Sequence, residues 1–397
     1  MRELVEGIAV VGAGIAGLTL SAALGSRRVP VELIGTHIGG LIARAGATDG
    51  AFDRGVHLWP RAIAALERIG LLGPLVARGG RIERLRLWSS TGRMLAELAS
   101  REALDVAGGL AVRASALIDV LLAGCAGVAV DTGRRALGYS EDDHGVALTF
   151  DGGRPLRAPL VVGADGASSA IRMQCLDDGP PAYSGDSVWE GIAPDIGMLP
   201  PGTLDVYWGA HGLRGGALSM GEAADTSAWW VDVETGVGGA TEGQGTKSEL
   251  VHLLSEVRGP LPELVAATPA AAIRRADVFA RRSGPAVGRG RVTLIGDAAH
   301  PLPITLRLGA SLAIEDGVAL ADALVAQAHP VEALRLYERA REAALAHVEK
   351  MLWRLRALEV RESALASRAR DRWVASLSGP TLVRHLRELV SVPVPPQ

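Results

Sequence analysis

A short apolar run, Ile8-Ala9-Val10-Val11, leads into Gly12, Gly14 and Gly17 in GxGxxG spacing, and Leu18 to Leu24 then follow at helical apolar periodicity. The first glycine permits a tight turn, the second lets a pyrophosphate approach the backbone, and the third allows close helix–strand packing. A helix that starts there turns free amides and its positive dipole end toward phosphate oxygens. Val29 to Ile34 reads as a second strand, so the first 34 residues spell a strand–helix–strand unit and a parallel sheet. With 50 glycines in 397 residues a lone triplet carries little weight, and its place after an N-terminal apolar strand supplies the rest.

The remaining composition narrows the field. With 41 basic and 44 acidic side chains the formal net charge is −3, which disfavours a nucleic-acid partner. Cys125 and Cys175 provide no disulfide framework and no zinc-type spacing, which implies a reducing, cytoplasmic setting and no metal. Gly7 to Leu24 has the apolarity of an export signal, but three glycines interrupt it and no convincing cleavage site follows. No other run reaches the roughly 18 apolar residues of a membrane helix, so a soluble protein without a membrane partner is expected.

Further along, Pro60 to Leu71 and Ala114 to Leu122 carry helical patterns, and Val146 to Phe150 reads as a strand. Residues 159–166, PLVVGADG, form a buried strand ending in an acidic-glycine turn. From Pro180 to Ala276 strand-like pieces dominate and hold four of the eight tryptophans, Trp189, Trp208, Trp229 and Trp230, as expected of half-buried strands or of a pocket wall. Thr235 to Thr246 is a flexible loop by composition. Val292 to Ile295 is a last strand, ending at Gly296-Asp297, with a helix near Gly309 to Val325. From Val331 onward the chain is helical and arginine-rich. Leu352, Leu355, Leu358 and Val360 form an apolar stripe that packs on the body or on a second copy, leaving a monomer or homodimer.

Three dispersed segments, GAGIAG, ADGASSAIR at Ala164 to Arg172 and LIGDAAHPLP at Leu294 to Pro303, together resemble the FAD-dependent class A monooxygenases of the para-hydroxybenzoate hydroxylase fold. The resemblance extends to about residue 345. It implies an α/β fold: a Rossmann-like FAD-binding domain, an inserted β-sheet substrate domain and C-terminal helices. The FAD-binding part would take residues 1–180, with substrate-domain strands around 75–110, and resume at 277–350; the substrate sheet would take 181–276 and the helical extension 351–397. Gly12, Gly14 and Gly17 match the glycines under the FAD pyrophosphate. Arg113 resembles an arginine facing the FAD ribose and phosphate, Asp165 and Gly166 a motif shared by FAD and NAD(P)H binding, and Asp297 after Gly296 a carboxylate that accepts hydrogen bonds from the ribityl chain. No second GxGxxG unit follows, consistent with NAD(P)H as a transient reductant.

The chain departs from that pattern at both ends of the cofactor. The strand that should end in a ribose-binding acid ends in Gly35, and Glu32 points to the other face. At the flavin ring, where the family continues from His300-Pro301 into GQG, Arg307 and Leu308 replace the first Gly and the Gln. Arg307 could supply positive charge to a reduced ring or exclude the ring. Two functions stay open. One is a flavin-dependent hydroxylase or epoxidase acting with NAD(P)H and O2 on a small hydrophobic or natural-product substrate, where the cofactor performs the oxygen chemistry. The other is a cyclase or pericyclase on a polyketide or terpenoid intermediate, which kept the fold and lost FAD. Pocket candidates are His57, Trp189, Trp208, Trp229 and Arg307; no residue is named as catalytic. No GxSxG or HExxH motif supports a hydrolase or a zinc protease.

Overall fold

The computed structural model describes residues 3–4, 7–39, 53–89, 91–99, 108–209, 212–221, 225–238, 241–242, 244–281, 287–302, 307–359, 364–377 and 379–390. A six-stranded sheet runs in the order Gly288–Arg289, Val292–Leu294, Leu160–Gly163, Ile8–Val11, Val31–Gly35, Ala129–Thr132. All its neighbours pair in parallel except the outer two. The central strands are buried along nearly their whole length, because both faces are covered. Alternate side chains divide the work. Ile8, Val10, Leu33, Leu160 and Val162 join a core with the helices Ile15–Ser26, Ala114–Gly124 and Gly309–Ala326. Ala9, Val11, Ile34 and Val161 face Val146, Leu148, Phe150 and Leu156 of a four-stranded sheet on the other side.

An eight-stranded sheet forms the second layer: Thr241–Glu242, Ile273–Ala280, Ala182–Pro194, Thr226–Glu234, Arg214–Ser219, Thr203–Trp208, Arg84–Ser89, Met94–Leu98. Its last two strands come from the first quarter of the chain, and Ile273–Ala280 pairs with Ala182–Pro194 beyond residue 276. The back face packs Trp189, Tyr207, Trp229 and Val231 on the helices Gln244–Leu253 and Pro260–Ala267. The segment expected to be a loop through Thr246 is shorter. Thr241–Glu242 pairs with Arg274 and Arg275, and a helix begins at Gln244.

The helix Pro330–Glu359 passes through residue 350 without a break and buries Leu352 and Leu355. The side chain of Leu358 and all of Val360 lie outside the described residues. Beyond them, Ala364–Ser376 and Gly379–Val390 place Val374, Leu382 and Val383 in the core that holds Leu85, Leu87 and Leu95 of the second sheet. The C-terminal helices therefore pack on the body. No helix among the described residues is long and apolar enough to cross a membrane.

The third glycine of the N-terminal turn is fixed by packing. A Cβ at Gly17 would lie 1.9 Å from the Gly12 carbonyl oxygen, whereas one at Gly14 would meet nothing within 4 Å. Gly17→Ala is expected to lose about 1–3 kcal/mol of stability, an overpacking cost, in chemical denaturation. Gly14→Ala should stay near the parent, and equal stability of both variants would contradict the packing account.

Candidate active site

The turn after the first strand has the geometry of an anion cradle. Gly12 takes φ +115, a conformation side chains disfavour, and the following helix starts at Ile15 with Gly14 as a cap that offers no side chain. The first amides of that helix consequently have no intrahelical partner. Gly35 ends its strand close against this turn, with a Cβ position 3.0 Å from the Ala13 nitrogen and 3.1 Å from its Cβ. A glutamate there would have to push the turn aside. Arg113 stands at the end of the strand Gly109–Arg113, 3.6 Å from Asp53 and 3.3 Å from the Thr226 hydroxyl. Asp165 accepts from Ser169 Oγ at 2.5 Å and from the Ala170 and Ile171 amides, which supports the N-cap Ser169 of the helix Ala170–Leu176, and burial raises its carboxyl despite those bonds.

The segment Gly296 to His300 is held by a buried carboxylate that sequence reasoning missed. Asp316, on the helix Gly309–Ala326, accepts from the Gly296 amide at 2.8 Å, contacts His300 Nε2 at 2.5 Å and accepts from Arg341 Nε at 2.7 Å. Burial opposes its charge, yet His300 and Arg341 outweigh burial and hold the carboxyl down at about 2. Arg172 reinforces the same turn by donating to the carbonyls of Ala298 and Ala299. Asp297 is left exposed on this turn, where crowding by the surrounding protein raises its carboxyl and His300 and Arg54 partly offset that rise. The helix behind it begins at Gly309 without a side-chain cap.

The front face of the eight-stranded sheet is bridged to the first layer by Arg307 and Arg54, which both reach Glu190; the region between this face and the turn of Asp297 is the candidate cofactor groove. Its row of facing residues includes Glu190, Trp230 and Gly216 on neighbouring strands, with Asp232 and Arg214 one step along. Trp230 lies flat over Gly216, since a Cβ there would come within 2.4 Å of its ring. Strand Gly55–Leu58 docks on the same face, where a Cβ at Gly55 would sit 2.2 Å from the Ala228 Cβ. Arg307 retains a left-handed backbone, φ 51, at the position where the family has glycine. Its side chain leaves the turn to pair with Glu190 and lies over Trp230, 5.0 Å from the ring centroid. Burial works against the Glu190 charge, but Arg307 and Arg54, the latter at 3.8 Å, hold the carboxyl low.

The pocket candidates separate. Arg307 reaches the front face. Trp189 and Trp229 lie on the back face, fully buried, with Trp229 Nε1 donating to Thr268 at 2.7 Å. The strand period of two puts Trp230, not its neighbour Trp229, toward the groove. Trp208 belongs to the front-face core but is occupied by the C-terminal helices: Arg370 sits 5.6 Å above its ring. His57 is buried beside Trp59 at 4.7 Å, and its imidazole is lowered to about 4, chiefly by burial, with the Gly108 backbone opposing and Arg307 assisting.

A largely parallel sheet with a bare helix start, joined to a mixed sheet whose polar face meets the turn of Asp297, defines the architecture of a flavoprotein monooxygenase. The chain belongs to the FAD binding domain family, whose model matches residues 6–352. The 3-amino-4-hydroxybenzoate 2-monooxygenase of Streptomyces cremeus is 32% identical over 360 residues, 88% of this chain and 86% of that protein. Aurachin C monooxygenase/isomerase of Stigmatella aurantiaca is 28% identical over 336 residues, 84% of each. In fold, the chain resembles Klebsiella pneumoniae HpxO solved with FAD and uric acid, at a TM-score of 0.83 and 21% identity, covering 97% of this chain and 96% of that one. It is an FAD-dependent oxidoreductase of the monooxygenase type. The site fits that cofactor: uncapped amides and open space stand at Gly14, and an exposed acceptor stands at Asp297.

Asp316→Ala should cost about 1–3 kcal/mol, because it removes the charged acceptor of Arg341 Nε and of the Gly296 amide while Glu315 still pairs with Arg341. In the parent, the stabilisation by this low-titrating carboxyl is present above the ordinary carboxylate range and is lost as pH falls through about 2. Denaturation between pH 7 and pH 2 should show the variant's deficit shrinking with acid. A deficit that stays constant would contradict the anchoring charge.

Proposed function

We propose that the protein inserts one atom of O2 into a small, electron-rich aromatic or olefinic substrate, as a hydroxylase or epoxidase, with NAD(P)H as a transient reductant. The observation that carries this reading is the front face itself. A tryptophan ring, Trp230, and a buried set of charges at Glu190, Asp232 and Arg307 face the turn that bears Asp297 and the start of the helix at Gly309. FAD, when bound, supplies the exchange of electrons with NAD(P)H and the activation of O2.

The chain's own residues bind, orient and exclude water. Helix amides after Gly12, Gly14 and Gly17 would receive the pyrophosphate, with Arg113 and the Asp165–Gly166 turn nearby. Asp297 would accept ribityl hydroxyls, and the uncapped start at Gly309 would direct amides toward negative charge on the reduced ring. Trp230 offers a flat apolar wall, and neutral His57 keeps the wall dry without adding a charge. No covalent protein nucleophile is needed. Both cysteines are buried and free, in keeping with work in the cytoplasm on a small molecule, as a monomer or homodimer. A cofactor-free cyclase draws support from Gly35 and Arg307 alone, and Arg307 directs its side chain to Glu190 instead of filling the turn.

The relatives' names, 3-amino-4-hydroxybenzoate 2-monooxygenase and 2-heptyl-3-hydroxy-4(1H)-quinolone synthase, choose the first substrates to try. FAD-loaded protein should consume NADH or NADPH and O2 faster with an aminohydroxybenzoate or a 4-quinolone than without. Under 18O2 the product should gain one labelled oxygen. Oxygen drawn from labelled water, or flavin that neither nicotinamide reduces, would contradict the proposal.

A further inference from the structure

The front face and its border carry Asp186, Glu190 and Asp232 together with Arg54, Arg214, Arg274 and Arg307. Two of the three carboxylates are held within the protein. Asp186 accepts from Arg214 at 2.8 Å, and Glu190 is held by Arg307 and Arg54. Asp232 differs. It is 3% exposed, and its Oδ1 has no hydrogen-bond partner among the described residues. It stands across the ladder from Arg214 and Val188, two residues beyond Trp230 on the same face of the same strand. On the other side of Trp230, Arg307 spends Nη2 on Glu190, while its Nη1 is buried and also lacks a partner among the described residues. A buried acceptor and a buried donor left open beside one aromatic ring are costly unless a ligand completes them.

We propose that Asp232 and Arg307 form the substrate-recognition pair of this protein: Asp232 takes an N–H or O–H of the ligand, Arg307 takes a carbonyl or phenolic oxygen, and the edge of Trp230, between Gly216 and the Arg307 guanidinium, borders the ligand ring. The inference rests on the monooxygenase reading and adds the polar pattern of its substrate. One open acceptor and one open donor call for a ring that presents both a donor and an acceptor. Glu190 acts through Arg307, fixing the guanidinium over the ring, and is a positioning residue.

The pair also gives binding a pH dependence. Burial raises the Asp232 carboxyl to about 6, against the pull of Arg214 and Arg307 and with the neighbouring charges of Asp186 and Glu190 adding to the rise. Asp232 is ionised above that value and protonated below it. Affinity for a donor-bearing ligand should therefore fall as pH drops through about 6 and level off above it.

The test is calorimetric titration of the FAD-loaded protein with 4(1H)-quinolone, its N-methyl derivative and naphthalene, at pH 5 to 8. At pH 7.5 the N–H compound should bind roughly 10- to 100-fold tighter than the N-methyl compound, the range for a hydrogen bond to a charged group. That margin should narrow below pH 6. Asp232→Asn, whose Oδ1 still accepts but carries no charge, should reduce the margin and abolish its pH dependence. Arg307→Gly, which suits the left-handed turn, should weaken quinolone while leaving naphthalene unchanged. Equal binding of the N–H and N-methyl compounds by the parent overturns the proposal even if the variants fail to fold, and so does an Asp232→Asn protein whose margin is undiminished and still narrows below pH 6. Retained discrimination in a protein that never couples NAD(P)H to O2 would instead support the pair and overturn the monooxygenase reading.

Discussion

The buried carboxylate of Asp316 joins three parts of the chain that must hold still for the groove to exist. It binds the Gly296 amide, the His300 ring and the Arg341 guanidinium, so the turn of Asp297 is locked to both long helices behind it. Arg341 also donates to Glu315 at 3.0 Å, and Arg61 reaches Glu315 at 3.2 Å, which ties in the helix Pro60–Arg68. A charge this deep is costly alone and is stable only because its partners are charged and well placed. Its function is to fix where Asp297 and the start of the helix at Gly309 face.

The second sheet completes the groove by an economy of small residues. Gly191 sits opposite Trp229 and Gly216 opposite Trp230, and in each pair the missing Cβ makes room for the indole. One tryptophan is thereby laid into the back core and its neighbour onto the face that meets the cofactor turn. Gly55 against Ala228 lets that face approach closely, and the contact of Arg307 with Glu190 bridges the remaining gap. The departure at position 307 thus becomes a link between the two layers, on a backbone that is left-handed at Arg307.

The parts of this architecture that were legible in the sequence are those written locally. The glycine spacing at Gly12 to Gly17, the apolar strands and the acidic-glycine turns at Asp165 and Asp297 each lie within a few residues. The parts that escaped depend on partners far apart in the chain. Glu190 and Arg307 are separated by 117 positions, and Asp316 and Arg341 by 25. The structure separates Trp229 from Trp230 by parity: adjacent strand residues face opposite ways, and composition carries no parity. Gly191 and Gly216 were the available signal, but only the strand register pairs each with its indole.

The protein holds FAD although Gly35 and the Arg307–Leu308 pair depart from the family pattern at opposite ends of the cofactor. Titrating cofactor-stripped protein with FAD, followed by flavin fluorescence and the visible spectrum after removal of free cofactor, tests it most directly. The account predicts saturation at one FAD per chain, with flavin bands retained on the protein. A folded protein that stays colourless and leaves flavin fluorescence unchanged would contradict it.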